Sequence, residues 1–440
     1  MKRIVCNHSH SSHQHPRRVR AAGALFGLAL ALAAAVSIAA EKAIEITAKQ
    51  ENETTIRVVA PGAFELTFTK QKGFVGDFYD LKHDPQKNRN LAPVNPENGL
   101  LWTKNAPVAD ATGGAWYANP PDTMELLEAG PARVRVRVAG PHRRYGYKKP
   151  EAAWKELAYE QTFTIYPTGN VYIDYALVAG QPLALKGFNL IIKSTGAWGA
   201  EGKGEGKGEA HCAGEFGADK PTGQQASSFG LQWSDGPTYF QDFLLVFQKG
   251  QFGGSYWNMG YLHEDYRAGF NILSHFPNNT VPQGKDHIFL LMRFADGLNS
   301  PAAAKPYAED YRAPDRLEVS EGTLDAADEG DLDRDGFNET EGCYVLKAGP
   351  RATAFVLHGA KTPRMLPVLK LKGWTSAAPK SISLGTKELL PGKDFLASSQ
   401  NGVLLVQLLE AVREDAKINI RGNPYQLGAQ VPRGFLQVAT

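Results

Sequence analysis

The chain reads as all-β: one large antiparallel sandwich followed by a small immunoglobulin-like β-sandwich. Two observations predict this. Short runs of alternating apolar and polar residues recur along the sequence, each bounded by Gly, Pro or Asn, which is the pattern of strands with one buried face. The 440 residues also contain 45 Gly, 27 Pro, 16 Tyr, 21 Phe and 7 Trp, a mixture suited to pleated surfaces joined by tight turns. With 42% hydrophobic and 21% charged residues, the composition excludes a disordered, collagen-like or coiled-coil chain.

The first 40 residues stand apart. They carry Lys2, Arg3, Arg17, Arg18 and Arg20 but no acid, then an uncharged Ala/Leu stretch from Ala21 to Ala40 ending in small residues. This pattern predicts a secretory signal peptide cleaved near Ala40, with an uncleaved membrane anchor as the alternative. His8, His10, His13 and His15 would leave with it. No later stretch is long and apolar enough to cross a membrane, so the mature chain is expected off the membrane. The formal charge of +2 turns slightly negative once this basic segment is set aside. A near-neutral body lacks the electrostatic footprint of a nucleic-acid-binding protein.

Residues 41–312 are expected to form the large sandwich. Its strands are predicted at Ile44 to Thr47, Thr55 to Val59, Phe64 to Phe68, Arg133 to Val138, Tyr159 to Tyr166, Val171 to Val178, Gly187 to Lys193, Phe229 to Trp233, Tyr239 to Gln248 and Asp286 to Phe294. Alternation of Arg133, Arg135 and Arg137 with Val134, Val136 and Val138 places three guanidinium groups on one face. That face is either solvated or the lining of a cleft for an acidic ligand. Gly199 to Gln225, with its Gly/Glu/Lys repeat, has no core-forming residues and reads as a surface loop. Ser300 to Asp310, with Pro at the first helical position, predicts a short helix closing this domain.

Residues 313–342 form an acidic linker, and 343–440 the small sandwich, with strands predicted at Cys343 to Lys347, Thr353 to Leu357, Val368 to Leu371, Ser381 to Leu384, Val403 to Leu408 and Lys417 to Ile420. Once Cys6 leaves with the signal, Cys212 and Cys343 remain; they read either as one long-range disulfide or as two separate thiols.

Within the linker, Asp331-Leu-Asp333-Arg-Asp335-Gly336-Phe337 reproduces the first half of an EF-hand-type calcium loop. Oxygen ligands at alternate positions of a tight turn converge on one hard cation, and the Phe337 carbonyl takes the seventh position. Gly342 stands where the bidentate Glu belongs, so Glu339 or Glu341 would complete the shell. The alternative is an acidic linker without an ion. Calcium here would rigidify a junction.

A second cluster, Tyr256-Trp-Asn-Met-Gly-Tyr261-Leu-His263-Glu-Asp-Tyr-Arg267, gathers aromatic platforms, an acid or base and a cation. A third, His142-Arg143-Arg144-Tyr145-Gly-Tyr147-Lys-Lys149, is a basic aromatic loop. Each reads otherwise as a packed hairpin or a solvated turn. Motifs of α/β hydrolases, P-loop NTPases, dinucleotide enzymes and HExxH zinc proteases are absent.

Together with the phrase Tyr159-Glu-Gln-Thr-Phe-Thr-Ile-Tyr-Pro-Thr-Gly-Asn-Val-Tyr172, the aromatic-rich sandwich and the small terminal sandwich resemble the galactose-mutarotase-like β-supersandwich of several polysaccharide lyases and their relatives. The resemblance covers roughly residues 44–310. It implies a carbohydrate-active enzyme, in the lyases one that pairs a Tyr, His or Lys base with a group neutralising the uronate carboxylate. The expected function is an exported polysaccharide lyase acting by β-elimination on an acidic polysaccharide; the alternative is a non-catalytic glycan-binding or cell-surface protein. From the two clusters, His263 and Tyr261 are the candidate base and acid, with Arg143, Arg144 or Arg267 as neutraliser and Tyr145 beside them.

Overall fold

Alternation along the chain becomes cross-strand pairing. The computed structural model describes residues 45–70, 73–88, 90, 108–117, 120–145, 150–194, 209–214, 218–219, 228–232, 242–247, 256–262, 265–271, 276–295 and 301–422.

The largest sheet has nine antiparallel strands. In spatial order they are Ala218–Asp219, Glu209–Gly214, Ser228–Gln232, Asp242–Phe247, Gly284–Ala295, Asn170–Ala179, Pro150–Ile165, Val134–Tyr145 and Thr123–Ala129. Its register sets Val136 opposite Phe163, Phe163 opposite Ile173 and Ile173 opposite Leu290. All four are fully buried, because side chains two residues apart on a strand share a face. Two further sheets pack on this inner face. One has four strands, Thr47–Asn52, Thr55–Ala60, Phe64–Thr69 and Gly73–Asp80. The other orders Tyr256–Leu262, Asp265–Asn271, Leu183–Ser194, Val108–Asp110 and Ala115–Trp116, with Thr280–Val281 alongside. Edge-to-face rings knit the layers: Phe64 lies 4.7 Å from Phe294 and Phe68 5.2 Å from Phe163.

The C-terminal strands form a five-stranded and a six-stranded sheet around a second core. The five strands are Glu318–Glu321, Ala352–Leu357, Ala416–Arg421, Ser381–Leu384 and Lys387–Glu388. The six are Thr323–Leu324, Cys343–Lys347, Val368–Lys372, Val403–Leu408 and Phe395–Gln400, with Phe337–Asn338 paired to Cys343–Lys347. Cys343–Lys347 and Val368–Lys372 run parallel.

Three differences from the sequence reading have physical causes. The expected acidic linker supplies strands Glu318–Glu321, Thr323–Leu324 and Phe337–Asn338 to these sheets; their apolar side chains are few, so alternation did not reveal them. The second core also takes in Ala132, Tyr166, Tyr172, Leu291 and the helix residues Ala308 and Tyr311. Glu41–Thr440 accordingly forms one compact unit. Finally, the expected loop at 199–225 contains strands Glu209–Gly214 and Ala218–Asp219; the rest of it lies outside the described residues. The closing helix runs Pro301–Arg312 and carries Tyr307 over the Arg293 guanidinium, 4.4 Å from its ring centre. Among the described residues, no helix is long and apolar enough to cross a membrane.

Candidate functional site

Two places bring chemistry-bearing side chains together. The first is the acidic turn. Gly336 takes φ of +92° and Arg334 +63°, and this left-handed backbone folds the chain tightly enough for Asp331, Asp333 and Asp335 to place carboxylate oxygens within 4.8 Å of one another. Asp331 accepts hydrogen bonds from the backbone N–H groups of Gly336 at 2.8 Å and Asp335 at 3.2 Å, and Asp335 accepts one from Phe337 at 2.7 Å. Glu339, which is buried, accepts one from Leu332 at 2.9 Å. Burial pushes Asp335 up to about 6 and Glu339 up to about 7, and the neighbouring aspartates push the same way. Among the described residues no Lys or Arg pairs with the three aspartates. The all-oxygen donor set fits a hard divalent cation such as calcium. Phe337 starts the two-residue strand just after the turn, paired with Tyr344.

Glu341 is elsewhere. Its carboxylate lies 2.6 Å from Arg133, 2.9 Å from Lys370 and 3.4 Å from Arg135. Although burial pushes its pKa up, Arg133, Arg135 and Lys370 hold it well below the usual carboxylate range. Three cations occupy it, so Glu341 is engaged away from the acidic turn. The arginine row is graded from buried to solvated: Arg133, 7% exposed, also meets Glu128 at 2.9 Å, and Arg137, 38% exposed, meets Glu160 at 3.1 Å and Glu125 at 3.4 Å. Each guanidinium has a carboxylate partner.

The second place is the outward face of the nine-stranded sheet. Arg137, Thr162, Asp174 and Phe289 stand opposite one another across four strands. His287, two residues before Phe289, reaches diagonally to Asp174, with Nδ1 to Oδ1 at 2.6 Å. The His287 and Phe289 rings stack at 5.5 Å with an interplanar angle of 8°. Side-chain exposure of 32% for His287 and 22% for Asp174 leaves the pair within reach of a ligand. Lys285 follows on the same face and binds Glu160 at 2.8 Å. This gives an imidazole oriented by a carboxylate, beside a buried aromatic ring, with Lys285 two residues along the same strand.

Residues singled out in the sequence are dispersed. Tyr261, opposite Tyr266, and Arg267, opposite Gly260, lie in the sheet that begins with Tyr256–Leu262; His263 lies outside the described residues. Arg143, Arg144 and Tyr145 end a strand of the nine-stranded sheet. Arg143 pairs with Asp122 at 2.5 Å, and Arg144 is exposed. The two sheets touch where Tyr117 and Arg143 exchange backbone hydrogen bonds of 2.9 and 2.8 Å. Four strand steps, roughly 19 Å, separate the strand of Arg143 from that of Arg267. His142 is a core residue: fully buried, 3.4 Å from both the Leu157 carbonyl and the Tyr175 hydroxyl, with burial lowering its pKa to about 4. Cys343 is a buried free thiol, pushed up to about 12 by burial.

Sequence reasoning missed Asp174 and His287, which are 113 residues apart. Alternation with Ile173, Tyr175 and Ile288 placed each on an outward face. Only strand order makes them neighbours.

No family model matches the chain, and no curated protein matches it. Among solved structures it is similar to a galactose mutarotase-like protein from Clostridium acetobutylicum, with 9% identity, 58% of this chain and 99% of that chain covered, and a TM-score of 0.34. It is similar to a heparan sulfate lyase from Pedobacter heparinus, with 8% identity, 64% of this chain and 40% of that chain covered, and a TM-score of 0.33. A GalM/aldose epimerase homologue from C. elegans gives 10% identity, 57% and 98% coverage and a TM-score of 0.31. Mutarotase-like proteins and polysaccharide lyases, the two kinds of protein in the resemblance drawn from the sequence, are both represented.

Proposed function

We propose that the chain is an exported carbohydrate-active enzyme, a lyase that cleaves a uronate-containing polysaccharide by β-elimination, with calcium held at the acidic turn as a structural ion. The supporting observation is the outward face of the nine-stranded sheet, where the half-buried Asp174–His287 pair lies beside Lys285. Removing a proton next to a carboxylate demands a base and a positive charge on that carboxylate, and Lys285 lies two residues from His287 on the same face. Export rests on the basic, then Ala-rich, first 40 residues. The acidic turn serves the junction, because it adjoins Phe337–Asn338 and the Glu341 cluster and lies on neither sheet face that carries the histidine.

Incubating the purified protein with a panel of acidic polysaccharides, and following the ultraviolet absorbance of the unsaturated uronate, tests this reading. Steady growth of that absorbance on one polymer supports it; binding to the polymer with no product removes the lyase. One observation favours a second reading, a glycan-binding protein: Glu160 already neutralises both Arg137 and Lys285. N-terminal sequencing of mature protein tests export, with a start near Glu41 expected and an intact N-terminus in the membrane fraction against it.

A further inference from the structure

We infer that Trp116, Trp154 and Arg144 form a binding subsite for an acidic sugar residue, the indoles taking the ring and the guanidinium its carboxylate; the carboxylate rests on the polysaccharide class proposed above, and the subsite rests on no chemical step. Neighbouring residues along a strand point to opposite faces. On Val134–Tyr145 the core face carries Val134, Val136, Val138 and His142, all fully buried, and then Arg144, which is exposed. The core therefore ends between His142 and Arg144, and the same face continues into solvent. Trp154 belongs to that face, because it packs on the edge of the large sandwich core. So does Trp116: it stands opposite the buried Val108, and the antiparallel bridge between Tyr117 and Arg143 sets it across from Arg144. The two indoles meet at 5.0 Å between ring centres, inclined by 40°, and both are half-buried.

Polar contacts fix the Trp116 ring. Its Nε1–H donates to Asp110 Oδ2 at 2.8 Å, while Asp110 Oδ1 accepts from the Thr112 hydroxyl at 2.6 Å, the Thr112 N–H at 2.8 Å and the Gly114 N–H at 2.9 Å. These hydrogen bonds, that of the Thr112 hydroxyl foremost, hold the Asp110 carboxyl well below the usual carboxylate range. A Cβ at Gly114 would lie 2.8 Å from Asp110 Oδ2, so the turn closes tightly on the carboxylate that orients the indole. Asp110 is a positioning residue. Arg143, on the opposite face, pairs with Asp122, and Arg137 and Lys285 share Glu160. Arg144, by contrast, has no ion-pair partner among the described residues. An unpaired guanidinium beside two half-buried indoles suits a sugar ring that carries a carboxylate. The C–H face of the ring packs on an aromatic surface, and the guanidinium takes the carboxylate through two parallel hydrogen bonds.

The test measures binding apart from product. Hexamers of galacturonate and of mannuronate, each beside its carboxyl-reduced form, are added to the purified protein, with calorimetry reading affinity and tryptophan emission reading contact. One acidic hexamer should bind and shift the emission, and its reduced form should bind about 10-fold more weakly, the scale of a charge-assisted hydrogen bond. Arg144→Gln should erase that preference, and Trp116→Phe should diminish the emission shift. Because Arg144 is exposed and unpaired, Arg144→Gln should melt as the wild type does, so the test stands even where a tryptophan variant is unstable. Equal affinity for acidic and reduced hexamers, a preference that Arg144→Gln leaves untouched, or no binding of either acidic hexamer overturns the subsite. The lyase reading fails separately. Arg144-dependent binding without unsaturated product keeps the subsite and removes the elimination, and product formed by Arg144→Gln protein with wild-type affinity does the reverse.

Discussion

Glu341 and Arg133 meet at 2.6 Å with both side chains 7% exposed, 208 residues apart in sequence, and this contact ties the nine-stranded sheet to the C-terminal sandwich. The Tyr166 hydroxyl donates to the Glu341 carbonyl at 2.7 Å, and Gln407 donates to Thr168 Oγ1 at 2.8 Å across the same seam. A buried carboxylate with three cations and a tyrosine on its own backbone carbonyl fixes the relative placement of the strands it joins.

Removing one partner of this pair weakens but does not abolish the pairing of the other, because Glu341 keeps Lys370 and Arg135 and Arg133 keeps Glu128. Arg133→Ala or Glu341→Gln should lower unfolding free energy by about 1 to 3 kcal/mol, read from denaturant curves. The double variant should cost less than the two single losses added together, since both remove the same interaction. Additive losses would show that the groups do not act as a unit.

Gly342 adjoins this pair and takes φ of +63°. A Cβ there would lie 2.0 Å from Tyr172 Cζ, and Tyr172 is buried against Tyr166 and Tyr311. Gly342→Ala should therefore destabilise by roughly 2 kcal/mol or more through overpacking and backbone strain. An unchanged melting temperature would mean that the seam is loosely packed.

At the acidic turn, calcium should raise the melting temperature and chelation lower it, by mass action on the folded state. Asp333→Ala should abolish the difference. The pH dependence has a definite sign. Glu339 rises from 4.5 to about 7 on folding, so its buried carboxyl favours the folded state while protonated, and that contribution fades between about pH 4.5 and 7. Metal-free protein should lose stability across this window, and the gain from calcium should grow across it, in melting curves recorded at both ends. A calcium effect independent of pH would place the ion elsewhere.

Much of the architecture was legible in the sequence because alternation reports burial directly. Cys343–Lys347, Ser381–Leu384 and Val403–Leu408 match the expected strands residue for residue, and the helix differs by a turn or less. Strands such as Thr123–Ala129, with exposed Leu127 and Met124 as the one buried residue, carry too little alternation to read. The acidic turn was legible because its three aspartates are local. The ion pairs of Glu341, the alternative to Glu339 in that motif, were not, because Arg133 and Lys370 come from distant strands. The Asp174–His287 pair was invisible for the same reason: a sequence shows which face a residue takes, and only sheet order shows what stands beside it.

The central claim, cleavage by elimination, is most directly tested by mass spectrometry of oligosaccharides released from a uronate polymer in isotopically heavy water. The account predicts fragments one water lighter than hydrolysis products, carrying a double bond and no solvent oxygen. Fragments that have gained solvent oxygen, or a polymer left intact by the folded protein, would contradict it.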